Sequence, residues 1–255
     1  MTDSRMKAMV LAAGLGTRLR PLTDDKPKSL VPLAGRPLMD WTLRWLSHIG
    51  VGECVINLHR WADEVRNFVG DGSRYGLLIH YSYEPELLGT AGAVKKVACF
   101  FSHPFFVIYS DNFSQWDLRS LLRVHMEKRA LATMAVHWRE DISQSGVVET
   151  DQDNRILCLV EKPKTTQSLN SHYVNAGFYV LDPKVLDYIP GGEFCDFAFD
   201  VFPEMLHAGE KIYAVKMDEP IIGIDTIEAY HQANDLARKL LMRDVKIGED
   251  RDGLH

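Results

Sequence analysis

The segment Leu11-Ala12-Ala13-Gly14-Leu15-Gly16-Thr17-Arg18 holds the residues of this sequence best suited to chemistry. An apolar run ends at Ala13 and two glycines follow. Glycines let the backbone approach a ligand closely and turn successive N–H groups toward an anion. Thr17 adds a hydroxyl donor, and Arg18 a planar fork that matches phosphate oxygens. Further on, Lys28 stands between Pro27 and Pro32, whose fixed φ angles stiffen the segment. A lysine is usually a solvated surface charge. One held in a stiffened segment just after a glycine-rich loop reads as a phosphate contact. The spacing is not that of other phosphate loops. A dinucleotide-binding loop needs a third glycine where Leu19 stands, and a Walker-type loop ends in Gly-Lys-Ser/Thr rather than Gly16-Thr17-Arg18. A purely structural glycine turn would leave the proline-flanked Lys28 unexplained.

Two aspartates are placed to meet such a phosphate. Ser110-Asp111-Asn112 follows a short apolar run, and a carboxylate at the C-terminal end of a strand sits where open α/β sheets bind ligands. Asp225, in Gly223-Ile224-Asp225-Thr226, precedes a helical pattern. Either residue could instead simply cap a turn or helix. The pair Glu161-Lys162 follows a predicted hairpin, and exposed pairs of this kind usually contribute little.

The elements that must position these residues alternate through the first half. Apolar runs predict strands over 6–13, 53–58, 77–81 and 105–109, and helical spacing predicts helices over 37–49, 61–69 and 90–101. That alternation favours an α/β fold with a largely parallel sheet covered on both faces. The second half is more antiparallel. Strands are expected over 131–137, 146–150, 155–160, 173–181, 211–215 and 221–224, with a hairpin turning at Asp151-Gln152-Asp153-Asn154. Helices are expected over 197–207 and 227–241, and 244–255 reads as a frayed polar tail.

The 255 residues carry a net charge of −6 and 46% hydrophobic side chains. This is a globular composition with none of the basic excess of a nucleic-acid binder. Cys54, Cys99, Cys158 and Cys195 form no C-x-x-C pair and read as ordinary thiols. No secretory pattern opens the chain, and no apolar run approaches the roughly 20 residues of a membrane span. A cytoplasmic protein of one domain over 1–243 is expected. Residues 6–110 would mainly hold one ligand and 111–243 a second, without length for another catalytic domain.

Ala12-Ala13-Gly14-x-Gly16-Thr17-Arg18-Leu19-x-Pro21-Leu22-Thr23 followed by Pro27-Lys28-x-Leu30-Val31-Pro32 resembles the signature of the sugar-phosphate nucleotidyltransferases. The resemblance covers about residues 6–241. It implies a Rossmann-like α/β fold with a mixed, mostly parallel central sheet flanked by helices. The implied reaction is NTP plus sugar-1-phosphate giving NDP-sugar and pyrophosphate, with Mg²⁺ as cofactor. The implied partners are those two substrates, without nucleic acid or membrane, and a homo-oligomer is compatible with them. Arg18, Lys28 and Lys162 become the catalytic cations. Leu11, Ala12, Ala13, Gly14, Gly16, Thr17, Glu84, Gly89 and Thr90 become nucleotide contacts. Gly146, Glu161, Lys162, Asn175 and Gly177 line the sugar-phosphate pocket, and Asp111 and Asp225 hold the metal. Mg²⁺ is a hard cation that takes carboxylate and phosphate oxygens.

Two departures accompany the match. Ser110 replaces the usual glycine before Asp111, and Gly223-Ile224-Asp225-Thr226 replaces the frequent Asp-x-Gly-Thr. The form Leu88-Gly89-Thr90-Ala91-Gly92 is similar to that of mannose- and heptose-1-phosphate guanylyltransferases. It favours GTP, with Glu84 or Glu86 accepting from guanine. Uridylyl, thymidylyl or cytidylyl transfer to another phosphorylated sugar, cyclitol or alcohol is the alternative. A catalytically inactive regulatory subunit that binds nucleotide sugars is a reading of a different class.

Overall fold

Strand β1 (Met6–Leu11) runs through the centre of the sheet between β4 (Val51–Leu58) and β6 (Phe105–Tyr109), parallel to both. Its two faces feed separate cores. Met9 packs with helix α3 (Gly89–Lys96) and the 197–207 helical segment, while Ala8 and Val10 pack with α1 (Leu38–His48) and α2 (Ala62–Val69). Burial on both faces is why this strand reads as one apolar run rather than an alternation. The computed structural model describes residues 6–165 and 169–252, with side chains as far as 242. Residues 1–5 and 253–255, at the two ends of the expected domain and tail, lie outside the described residues.

The central sheet is mixed. Strand β5 (Leu78–Tyr83) extends the parallel half beyond β4. On the other side β11 (Tyr173–Leu181) pairs antiparallel with β6, and then with β8 (Ala132–Trp138) and β9 (Gly146–Thr150). The hairpin partner of β9 is β10 (Ile156–Glu161), and β12 (Ile212–Lys216) runs parallel to β8. These directions decide where chemistry can collect. The C-terminal ends of β1, β4, β5, β6 and β10 share one edge with the N-terminal ends of β9 and β11. Every predicted site residue except Lys28 and Asp225 follows from that edge.

Two small ribbons bring in the missing pair. Strands β2 (Pro32–Leu33) and β3 (Arg36–Pro37) turn tightly at Ala34 and Gly35, both at positive φ. This ribbon is pinned from two sides. Trp41 Nε1 donates to the Leu33 carbonyl at 3.1 Å, and the Ala34 N–H donates to Asn234 Oδ1 of α6 (Ile227–Asp252) at 2.6 Å. The second ribbon pairs β7 (Asn112–Phe113) with β13 (Ile222–Gly223), and the Ile224 N–H donates to the Asp111 carbonyl at 2.9 Å. Asp111 and Asp225 are thereby neighbours although 114 positions separate them.

Four expectations needed revision. Helix α4 (Arg119–Lys128) was not anticipated, because its buried side is only Leu121 and His125. The helix expected over 90–101 ends at Lys96, where Val97 leaves helical φ, and a 3₁₀ turn follows over Ala98–Phe100. The one expected over 197–207 is a π-turn over Phe197–Val201 running into α5 (Phe202–His207). Pro203 has no N–H to return to the preceding turn, which favours the wider i→i+5 pattern. Helix α6 continues to Asp252, so 244–252 is helix rather than frayed tail; no proline interrupts the stretch.

Packing also fixes a pH response. His125 is 2% exposed, with Nδ1 3.0 Å from the Thr133 hydroxyl. Burial, only partly offset by Asp182, pushes its pKa down to about 4; burial and Arg139 do the same for His137. The unfolded chain therefore takes up protons between about pH 6.5 and 4 that the fold refuses, so stability falls with pH across that window. His125 alone is expected to cost about 2 kcal/mol between pH 7 and pH 5. His125→Asn should flatten the fall in thermal midpoint over that range; an unchanged slope would contradict this origin.

Candidate active site

Lys28 is the hub of the site. Its ammonium lies 2.8 Å from Asp111 Oδ2 and 2.9 Å from Asp225 Oδ1, and Arg18 reaches the same Asp225 oxygen at 3.0 Å. The Lys28 side chain is 10% exposed, while Arg18 is 71% exposed and free to turn toward a ligand. Burial opposes the Lys28 charge, yet the two carboxylates outweigh it and raise its pKa. Burial likewise opposes the Asp225 charge, but Lys28, then Arg18 and Lys162, hold that carboxyl below its usual range.

The loop after β1 is shaped as its glycines require. Gly16 has φ +64°, and a Cβ there would lie 3.1 Å from Lys28 Cβ and 3.2 Å from Thr23 Cγ2. The Thr23 hydroxyl donates to the Gly16 carbonyl at 2.8 Å. Gly14, Thr17 and Arg18 are exposed, and with Gly16, Asp111 and Asp225 they line a cavity of about 320 Å³. An adjoining cavity of about 280 Å³ is lined by Leu11, Ala12, Ala13, Glu84, Gly89 and Thr90, and shares Gly14, Lys28, Leu87 and Asp111 with the first. The nucleotide contacts expected from sequence are thus gathered around one continuous cleft.

Glu84 is held differently from the other expected nucleotide contacts. It is wholly buried, with Oε1 accepting from Asn57 Nδ2 at 2.8 Å and Oε2 from the Leu88 N–H at 3.1 Å. Asn57 Oδ1 in turn accepts from the Ala12 N–H at 2.7 Å. A carboxylate so enclosed is not a free acceptor for a base. It ties the phosphate loop to the loop before α3. In Glu84→Gln one of two buried donors would face an NH₂ group, a loss of about 1–3 kcal/mol. Thermal unfolding should register that loss as a lower midpoint, and an unaltered midpoint would remove this role.

Gly89 and Thr90 are held from the other side. A Cβ on Gly89, at φ +75°, would meet the Cys195 carbonyl oxygen at 2.4 Å. The Thr90 hydroxyl donates to Asp196 Oδ2 at 2.8 Å and accepts from the Phe197 N–H at 2.9 Å. Asp196 also caps the π-turn through Ala198 and Phe199. Asn57, Tyr109 and Asp196 all line the cleft and were missed from sequence. Asn57 was detectable as the polar residue inside an apolar strand, and Asp196 as a helix cap.

The predicted sugar-phosphate residues assemble at the hairpin. Gly146 pairs with Glu161 across β9 and β10, and a Cβ at Gly146 would come 2.3 Å from Glu161 Oε2 and 3.4 Å from Asn175 Cβ. Burial raises the Glu161 carboxyl, with Lys162 opposing and Asp196 adding to the rise. Lys162 has φ +46°, donates its N–H to the Ser145 carbonyl, and carries its ammonium 5.8 Å from the Phe199 ring centroid. The Asn175 side chain accepts from the Gly177 N–H at 2.9 Å.

The donor set suits a divalent cation. Two hard carboxylates converge on the Lys28 ammonium, and the same pair of oxygens would suit a divalent cation. Among the described residues no group of three His, Cys, Asp or Glu gathers, so phosphate oxygens and water would complete the shell. No helix among the described residues is long and apolar enough to cross a membrane.

A glycine-rich loop and two carboxylates paired on one lysine gather at the edge of an α/β sheet. The chain belongs to the nucleotidyl transferase family, whose model matches residues 7–239. A UTP–glucose-1-phosphate uridylyltransferase of Synechocystis is 36% identical over 94% of this chain and 65% of the relative. A mannose-1-phosphate guanylyltransferase of Mycobacterium tuberculosis is 34% identical over 84% of this chain and 59% of its own length. The chain thus spans somewhat less than two thirds of these relatives. HddC from Yersinia pseudotuberculosis, solved with GMP-PN, shares the fold at a TM-score of 0.75 and 25% identity, over 90% of this chain and 98% of that one.

Proposed function

We propose that this chain transfers a nucleotidyl group from an NTP to a sugar-1-phosphate, with GTP as the favoured nucleotide. The observation that carries the reading is the meeting of Lys28 with Asp111 and Asp225 where the two cavities join. A phosphate oxygen of the sugar-1-phosphate attacks the α-phosphorus of the NTP. A new P–O bond forms, the bond to the β-phosphate oxygen breaks, and pyrophosphate leaves with the electron pair.

The protein makes no covalent bond. Positioning and charge neutralisation supply the catalysis. Exposed N–H groups of the Gly14–Arg18 loop and the Arg18 fork hold the departing phosphates. Lys28 meets charge developing at the α-phosphate, and Lys162 orients the attacking phosphate. Glu161 and Asn175 face the sugar. Asp111 and Asp225 would hold Mg²⁺, which when bound supplies charge neutralisation at the phosphates. The cytoplasm, the expected location, supplies both substrates, and the unpaired thiols of Cys54, Cys99, Cys158 and Cys195 suit it.

The preference for GTP rests on the form of residues 88–92 and on the name of the mycobacterial relative. UTP is the second reading, because the Synechocystis relative is named for it. With Glu84 enclosed, Glu86, which is exposed, is the carboxylate left to meet a guanine. A matrix of GTP, UTP, dTTP and CTP against several sugar-1-phosphates tests this. GTP should give the largest kcat/KM; a tenfold or greater lead for UTP would replace the guanylyl reading with the uridylyl one.

A further inference from the structure

Phe194 is a large apolar side chain left 68% exposed, and it lines the nucleotide cavity together with Leu87. Nothing in the reaction above uses it. A single exposed ring is ordinary on a protein surface; what distinguishes this one is its backbone mount. The Cys195 N–H donates to the Leu88 carbonyl at 2.9 Å, and the Cys195 carbonyl accepts from the Ala91 and Gly92 N–H groups at 3.0 and 3.1 Å. Those two N–H groups belong to the first turn of α3, where the helix itself offers them no partner. The chain at Cys195 thereby caps α3.

The approach is close enough to dictate the sequence. A Cβ on Gly92 would lie 2.7 Å from the Glu193 carbonyl oxygen, as one on Gly89 would clash with Cys195. Leu88-Gly89-Thr90-Ala91-Gly92 thus carries its two glycines where the backbone of 193–195 docks. Cys195 is buried, and Asp196 after it is tied to the Thr90 hydroxyl. Phe194 is therefore fixed at its backbone beside the loop before α3, while its ring stays uncovered. Phe199, five positions on, is also exposed, but its ring lies by the Lys162 ammonium, among the sugar-phosphate residues. The two rings border different halves of the cleft. Tyr109 also lines the nucleotide cavity, but it is partly covered and packs edge-on against Tyr179, centroids 5.7 Å apart. Phe194 offers the more open face.

We propose that Phe194 is the platform on which the base of the NTP stacks, and that it favours a purine over a pyrimidine. The inference rests on the nucleotidyltransferase reading and deepens it at the base. A bound base needs a partner for its polar edge and one for its flat face. The exposed Glu86 carboxylate suits a guanine edge, and the Phe194 ring suits the face. Every base has a π-face, so such a platform accepts them all. A purine, with two fused rings, covers more of a phenyl ring than a pyrimidine does, and it gains more from the contact.

Calorimetric binding of GTP and of UTP with Mg²⁺, in the absence of sugar-1-phosphate, tests it on the full chain. Phe194→Ala should weaken GTP binding at least about fivefold, the low end for loss of a base–aromatic stack, and UTP binding by a smaller factor. Phe194→Leu keeps apolar bulk without the plane and should weaken GTP nearly as much. Phe194→Trp should bind GTP as tightly as the wild type or more so, and it serves if the smaller side chains do not fold. A loss for GTP below about twofold in folded Phe194→Ala, or an equal loss for GTP and UTP, overturns the proposal. So does a variant whose nucleotide binding is unchanged while its KM for sugar-1-phosphate rises, which would put the ring against the sugar. A wild type that binds neither nucleotide would instead overturn the nucleotidyltransferase reading, and this inference with it.

Discussion

Asp111→Asn is expected to lower turnover at saturating substrates by at least about a hundredfold, the scale of a single electrostatic group aimed at developing charge. Asp111 is one of only two carboxylates touching Lys28, and no third His, Cys, Asp or Glu among the described residues could replace it. Asparagine keeps the shape and, through its backbone carbonyl, the hydrogen bond from the Ile224 N–H. It removes the charge that a divalent cation needs. The fold should survive, so the loss would appear in kcat with little change in thermal midpoint. Steady-state kinetics of the purified variant decide the matter: turnover within threefold of the wild type would remove Asp111 from the reaction.

Lys28→Met should be at least as damaging to turnover, and it leaves a second signature. Without the ammonium, Asp111 and Asp225 face each other with Arg18 as the remaining cation contact at 3.0 Å. Two carboxylates without their shared cation bind an added divalent cation more readily, because no ammonium competes for the same oxygens. Adding Mg²⁺ without nucleotide should therefore raise the thermal midpoint of Lys28→Met more than that of the wild type. A smaller rise in the variant would mean that Lys28 does not occupy the cation's place.

Much of this site was legible in the sequence for local reasons. Gly14, Gly16, Thr17 and Arg18 form a loop whose geometry is dictated within a few residues. The Asp111 carboxylate follows a strand, and strand ends in parallel sheets converge. Lys28 stood out because two prolines stiffen its segment. Its union with Asp225 was not, since it depends on a two-residue ribbon between β7 and β13 and on α6 pinning the β2–β3 turn. The enclosure of Glu84 was not legible. Its burial comes from Asn57, a strand residue that no local pattern ties to it. Helix α4 went unread because a two-residue buried stripe hardly rises above the polar background.

Two phosphates are expected to meet at Lys28, one from an NTP and one from a sugar. The most direct measurement is pyrophosphate release with sugar-1-phosphate supplied and withheld. Release is expected only when both substrates and Mg²⁺ are present, matched one for one by NDP-sugar. Nucleotide binding without pyrophosphate release, for every common NTP and sugar-1-phosphate tried, would contradict it and leave a binding subunit in place of an enzyme.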